Sequence, residues 1–245
     1  MDNELRVVIL AAGKGTRMNS DLPKVLHQLH GKSLIDYVLN ESEALNPTEI
    51  ILVVGFKKNK VISHTNNRNN LKYVTQTEQL GTGHAVLQTE ELLKNKKGHI
   101  LILYGDVPNI KASTLKPIIH DHITNNRGLT LITAEINDPT GYGRIIRDEN
   151  GSLLKIVEDK DCNDEEKKIK EWNPGIYIFK IPEIFKLLNN IKTNNASKEY
   201  YLTDAIALAQ QANMQIEAIK ILNSDEVIGV NTADQLEELE SWITF

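Results

Sequence analysis

The sequence predicts an α/β domain in which a mostly parallel, mixed sheet carries helices on both faces. Strand-like and helix-like segments alternate through the first 105 residues in the order β-loop-α-β-α-β-α-β. That order calls for parallel strands joined by right-handed crossovers. The strand segments are near-continuous runs of Val, Ile and Leu, the pattern of strands covered on both faces. The run from Val7 to Leu10 breaks directly into Ala11-Ala12-Gly13-Lys14-Gly15, a turn with little side-chain bulk at the edge where α/β sheets bind ligands.

Element by element, strands are predicted at residues 6–10, 50–54, 72–75 and 100–104, with helices at 33–45 and 83–93. A helix follows at 112–124 and a strand at 129–135. After Asn125 the strands shorten and turn signals crowd, at Asp138-Pro139-Thr140-Gly141 and Glu149-Asn150-Gly151. The second turn marks a hairpin between strands 143–147 and 153–157. Strands at 175–179 and 216–222 and helices at 181–188, 202–211 and 233–242 complete the chain. The mixed charges of 159–170 read as a solvated loop or helix face. The second half is expected to share one sheet with the first and to add a small β-rich lobe over the ligand. One domain spanning 1–245 is expected, with residues to about 110 as one functional half, about 111–231 as the other, and 232–245 as a terminal helix.

Composition narrows the function. The 245 residues carry 28 Lys and Arg against 33 Asp and Glu, a net charge of −5, which argues against nucleic acid as a partner. No apolar run approaches the roughly 18 residues of a membrane span. The N-terminal MDNELR lacks the pattern of a secretory signal. Cys162 is the single cysteine, so neither an intrachain disulfide nor a cysteine metal site is expected. A cytoplasmic location is the expectation.

Three segments carry the chemistry. The first loop places Lys14, Arg17 and Lys24 beside small residues, so backbone N–H groups and cations meet where phosphates would lie. It is not a P-loop, and Met18 stands where a dinucleotide fingerprint needs its third Gly. A Gly-x-Gly turn alone serves a plain strand-to-helix connection equally well. The second segment, Gln76 to His84, offers an amide that can both donate and accept, which suits the edge of uracil. Gly81 and Gly83 allow close approach, and Thr82 can cap the next helix or bond the nucleotide. His84 reads as a packing or capping residue. The third, ILILYGDVP, sets Asp106 just past a buried strand, where a carboxylate can hold Mg²⁺ against phosphates or close an Asx turn. Weaker candidates are the turn holding Gly143, Glu158 after an apolar strand, Asn173 at a rigid Pro turn, and Asn231 as a second oxygen donor.

The string L-A-A-G-x-G-T-R-M-x(4)-P-K resembles the signature of sugar-nucleotide pyrophosphorylases. With SDLPKVLH, QTEQLGTGHA, LYGDVP, GYGRI, IVEDKD, EYYLTD and VIGVN following in order, the chain is similar to the N-terminal uridylyltransferase domain of the bacterial bifunctional N-acetylglucosamine-1-phosphate uridylyltransferase/glucosamine-1-phosphate acetyltransferase family. The resemblance implies a Rossmann-like nucleotidyltransferase fold. It implies nucleotide contacts by Leu10, Ala11, Ala12, Gly13, Lys24, Gln76, Gly81 and Thr82. Tyr104 and Gly105 would lie along the ligand, and Gly143, Glu158 and Asn173 would contact the sugar. Asp106 and Asn231 would hold Mg²⁺, with Arg17 and Lys24 facing the phosphates.

The implied substrates are UTP and N-acetylglucosamine 1-phosphate, giving UDP-N-acetylglucosamine and pyrophosphate by in-line attack without a covalent intermediate. Glucose 1-phosphate, a thymidine or cytidine nucleotide, and a non-catalytic sugar-nucleotide sensor are the alternatives. The family's β-helix acetyltransferase half has no counterpart in these residues, so no acetyl transfer is expected. The family's trimer is held largely by that half, so a monomer or weak dimer is expected here. Pro174 replaces the family's usual Thr, which bears on the placement of Asn173 and hence on sugar choice.

Overall fold

The computed structural model describes residues 3–243. Strand β1 (Leu5–Ala11) leads through a 3-10 turn at Thr16–Met18 to a small hairpin, β2 (Gln28–Leu29) and β3 (Lys32–Ser33). Next come α1 (Leu34–Glu43), β4 (Glu49–Val54), α2 (Lys58–Thr65), β5 (Leu71–Thr75), α3 (Thr82–Leu87), α4 (Glu90–Leu93) and β6 (Gly98–Tyr104). The second half adds α5 (Ala112–Thr124), β7 (Leu129–Glu135), β8 (Gly143–Arg147), β9 (Leu153–Val157), α6 (Asp164–Lys167) and β10 (Glu171–Asn173). It ends with β11 (Tyr177–Ile181), α7 (Glu183–Leu188), α8 (Ala205–Gln211), β12 (Ile216–Lys220) and α9 (Ala233–Trp242).

One ten-stranded sheet runs β5-β4-β1-β6-β11-β7-β10-β8-β9, with β12 also on β7. The first four neighbours are parallel. β11 enters antiparallel to both β6 and β7, and β8, β9 and β10 extend the sheet as an antiparallel lobe. Both halves thus share one sheet. From β1 the chain winds first to β4 and β5 on one side, then returns to β6 on the other. That reversal opens a crevice beyond the carboxyl ends of β1 and β6.

Alternation along the buried strands builds the two core layers. Val8, Leu10, Ile100 and Ile102 pack with Ile184, Phe185 and Ile206 on one face. Val7, Ile9, Leu101 and Leu103 pack with Ile35, Val38, Leu39 and Leu115 on the other. Truncating one such side chain, Leu39→Ala for instance, costs about 2–5 kcal/mol. A third cluster joins Met18, Leu29, Leu34 and Tyr37 to Val230 and Leu239, so α9 clamps the first loop from outside.

Several elements differ from the sequence-based expectation. The helix expected at 83–93 is two short helices, because the Thr89 hydroxyl turns back to donate to the Val86 carbonyl (2.7 Å). The helix expected at 202–211 begins as a 3-10 turn over Leu202–Asp204. The strand expected from 175 starts at Tyr177, since Gly175 holds φ +85°. The charged run at 159–170 holds α6, closed by a capping box between Asn163 and Glu166. Leu239 is buried under α9 but Trp242 is 42% exposed, so the terminal apolar face is narrower than its spacing suggested. Residues 244–245, the end of the expected terminal segment, lie outside the described residues, as do residues 1–2 of MDNELR. Among the described residues no helix is long and apolar enough to cross a membrane.

Candidate active site

Two adjoining cavities fill the crevice. Leu10, Ala11, Ala12, Gly13, Gln76 and Gly81 line the first. Arg17, Gly143, Glu158, Asn173 and Asn231 line the second. Lys24, Thr82, Tyr104 and Asp106 border both. Gly105 lies between Tyr104 and Asp106, and a Cβ there would lie 2.8 Å from Ile35 Cδ1 and 3.0 Å from Val25 Cγ1. Its glycine lets the segment after Pro23 and helix α1 close on the end of β6, between two residues that border both cavities. Lys14 is exposed and lines neither cavity.

The cationic end is assembled from three distant segments. Gly15 adopts φ +59°, and a Cβ on it would sit 2.7 Å from Lys24 Cβ. The loop therefore needs glycine there for Lys24 to approach. The Lys24 ammonium contacts Asp106 Oδ2 and donates to Asn231 Oδ1 (3.1 Å). Arg17 Nη2 donates to the same Asn231 oxygen (3.0 Å). Asn231 is fixed by its own N–H on Gln235 Oε1 (2.8 Å) and by the Val230 N–H on the Asp106 carbonyl (2.9 Å). The Asp106 carboxylate and the Asn231 amide oxygen thus converge on one point, which could hold a hard cation. Among the described residues no cluster of three or more His, Cys, Asp or Glu offers a metal site.

The first cavity presents an amide. Gln76 is 4% exposed, and its Nε2 donates to the Gly81 carbonyl (3.0 Å) and lies 3.1 Å from His84 Nδ1. His84 therefore sits behind Gln76, in keeping with a packing role. Gly81 holds φ +113° against Tyr200, whose carbonyl would be 2.6 Å from a Cβ. Thr82 does not cap α3: its hydroxyl accepts from the Leu202 N–H (3.0 Å). Capping gave way to a link between the two cavity walls.

The second cavity is mostly polar. Glu158 accepts from the Thr203 hydroxyl (3.0 Å), and burial holds its carboxyl above the ordinary carboxylate range, with Asp161, Asp204 and Glu199 adding to the effect. Asn173 accepts from the Gly175 N–H (3.0 Å) and donates to the Tyr177 hydroxyl (2.6 Å). The donor is Gly175, so the missing N–H of Pro174 leaves this amide anchored. Burial raises the pKa of Tyr104 and Tyr177, and both stay neutral phenols. A Cβ on Gly175 would lie 2.4 Å from the Tyr104 ring, so this glycine is the seat of that ring. Tyr142, Glu199 and Thr203 also line the wall, although sequence reasoning gave them no role. EYYLTD, at 199–204, was the signal available for two of them.

A polar cleft at a strand-order reversal, with cations gathered at one end and an amide at the other, defines an α/β enzyme acting on nucleotides. The chain belongs to the nucleotidyl transferase family, whose model matches residues 6–225. It is 44% identical over 233 residues to the bifunctional protein GlmU of Streptococcus mutans, covering 95% of this chain and 50% of that one. To GlmU of Streptococcus agalactiae it is 45% identical over 224 residues, covering 91% and 48%. The chain thus spans about half the length of the curated relatives it matches. The crystal structure of a UDP-glucose pyrophosphorylase complexed with UDP-glucose shares the fold, with a TM-score of 0.78 over 97% of both chains and 22% identity.

Proposed function

We propose that the chain transfers a uridylyl group from UTP to N-acetylglucosamine 1-phosphate, forming UDP-N-acetylglucosamine and pyrophosphate. One observation carries the reading: Lys24, Asp106 and Asn231 meet where a base-sized cavity adjoins a polar, sugar-sized one. The motif resemblance and the GlmU relatives support it. In this reading residues to about 110 supply most of the nucleotide pocket and residues 111–231 most of the sugar pocket.

An oxygen of the sugar phosphate attacks the α-phosphorus of UTP. The new O–P bond forms as the bond to the pyrophosphate breaks, and the electron pair leaves on pyrophosphate. The attacking group is already an anion, so no protein nucleophile is required. What the chain supplies is position and charge. Gln76 holds the base, Glu158 accepts from a sugar hydroxyl, and the remaining N–H of Asn173 donates to the sugar. Lys24 neutralises the α-phosphate and Arg17 the leaving pyrophosphate.

Asp106 and Asn231 fit a magnesium ion, since both offer hard oxygens and a cation, the Lys24 ammonium, already rests between them. When bound, the ion would supply positive charge to the reacting phosphates. Two protein ligands suffice for Mg²⁺, which completes its shell with phosphate oxygens and water.

The test is pyrophosphate release from UTP and Mg²⁺ with N-acetylglucosamine 1-phosphate and, in parallel, with glucose 1-phosphate. Release with the N-acetylated sugar alone is expected. Preference for glucose 1-phosphate would move the sugar assignment, and no release with either would overturn the activity.

A further inference from the structure

The cavity side of Gln76 is set from behind. The Gly81 carbonyl can only accept, so the Gln76 atom 3.0 Å from it must be the NH₂. The second N–H of that NH₂ points at His84 Nδ1, 3.1 Å away. Both amide protons are then spoken for. The carbonyl oxygen of Gln76 has no donor among the described residues, and the residue is 4% exposed on the cavity wall. Gln76 therefore meets the base as an acceptor only. Uracil carries an N–H at the matching edge, whereas cytosine carries a lone pair.

The arrangement works only while His84 Nδ1 accepts. Gln88 competes for the ring, because its Nε2 lies 3.1 Å from His84 Nε2 and donates to the His84 carbonyl (3.0 Å). A neutral imidazole accepts at one nitrogen only. Gln88 is half-buried, and the His84 carbonyl already accepts from the Gln88 backbone N–H (3.3 Å). Turning the Gln88 oxygen to His84 Nε2–H gives up the amide's bond to the His84 carbonyl, a loss that water can make good at a half-buried side chain. Gln76 is buried, and an orphaned N–H there is the costlier outcome.

We infer that His84 is a positioning residue that sets pyrimidine choice, by taking the second Gln76 N–H and leaving only the carbonyl oxygen to read the base. The inference rests on the uridylyl reading and adds to it a residue that never touches the nucleotide. Without an acceptor at Nδ1, the second Gln76 N–H is orphaned and the amide is held by the Gly81 carbonyl alone, so its oxygen is no longer fixed toward the N–H of uracil.

The test compares kcat/KM for UTP and CTP in the wild type, His84→Leu and His84→Asn, with thermal melting as a fold check. Asn returns an acceptor near the Nδ1 position. The ratio of UTP to CTP is expected to fall at least tenfold in His84→Leu, through a higher KM for UTP with kcat little changed, and to recover in His84→Asn. An unchanged ratio in a folded His84→Leu would overturn the role of His84 while leaving the uridylyl reading intact. If His84→Leu does not fold, His84→Asn decides: an acceptor at that position must keep the wild-type preference, and its loss overturns the inference. A wild type that takes UTP and CTP equally would overturn the base assignment itself.

Discussion

The ammonium of Lys24 rests against the carboxylate of Asp106, although the two residues stand 82 positions apart. Lys24 comes from the first loop and Asp106 from the end of β6, and the pairing of β1 with β6 brings them together. Both side chains are largely shielded from water, at 18% and 11% exposure. Neither charge is therefore strongly screened when a phosphate enters.

Asp106→Asn keeps the shape of the site and removes its negative charge. Turnover is expected to fall by about 10²–10³ or more, the cost of losing one preorganised charge contact. A melting temperature near that of the wild type and steady-state pyrophosphate release together check this. Near-normal turnover would remove Asp106 from the chemistry.

Tyr177→Phe deletes the hydroxyl that anchors Asn173. A buried hydrogen bond of about 1 kcal/mol corresponds to roughly a fivefold change in binding. The KM for the sugar phosphate is expected to rise by that order, with kcat and the KM for UTP unchanged. Equal changes in both KM values would point to a general loosening of the sheet instead.

Glu158 is raised above the ordinary carboxylate range by burial, and the Thr203 hydroxyl opposes that rise. In the proposed role the ionised form accepts from the sugar, so sugar binding is expected to weaken as pH falls through the raised pKa, above the pH at which an exposed Glu would lose its charge. Thr203→Val removes the opposing bond and is expected to move this limb to higher pH. Comparing the two proteins cancels the titration of the sugar phosphate. Coincident KM profiles would rule out Glu158 as the group read.

The imidazole of His122 is fully buried, 2.7 Å from Thr130 Oγ1 and 3.1 Å from His99 Nδ1. Burial, helped by His99 and Arg127, pushes its pKa down from 6.5 to about 3. The folded protein keeps this ring neutral while the unfolded chain protonates it below pH 6.5. The unfolded state then binds more protons, so stability falls as pH drops from 6.5 towards about 3, by about 1.4 kcal/mol per pH unit. Denaturant unfolding of the wild type and His122→Gln between pH 7 and 4 checks this. The variant should lose that slope, and identical slopes would assign the acid sensitivity to other groups.

The first loop was legible because its signals are local. A small-residue break after a buried strand, and cations at fixed offsets, need no knowledge of the rest of the chain. The hairpin over 143–157 was legible for the same reason: Asn150-Gly151 dictates a turn between two apolar strands. The packing role of Gly105 was not legible, because a glycine beside a catalytic-looking Asp reads as ligand space and only the fold shows that it admits Ile35 and Val25. The break at Thr89 escaped because a threonine hydroxyl can stay in a helix or fold back, and spacing does not distinguish the two.

By itself the sequence determined the α/β class, the parallel first half, the cationic loop and the candidate carboxylate at the end of β6. These follow from hydrophobic period and turn chemistry, which act over a few residues. Only the tertiary structure decided that Arg17, Lys24, Asp106 and Asn231 share one oxygen-lined point, that Thr203 steadies Glu158, and that the Gln76 NH₂ turns to Gly81 and His84 behind the cavity wall. Those outcomes depend on strand order and on contacts between segments tens of residues or more apart. A hydrogen bond has direction only once both partners are placed, so no linear pattern carries it.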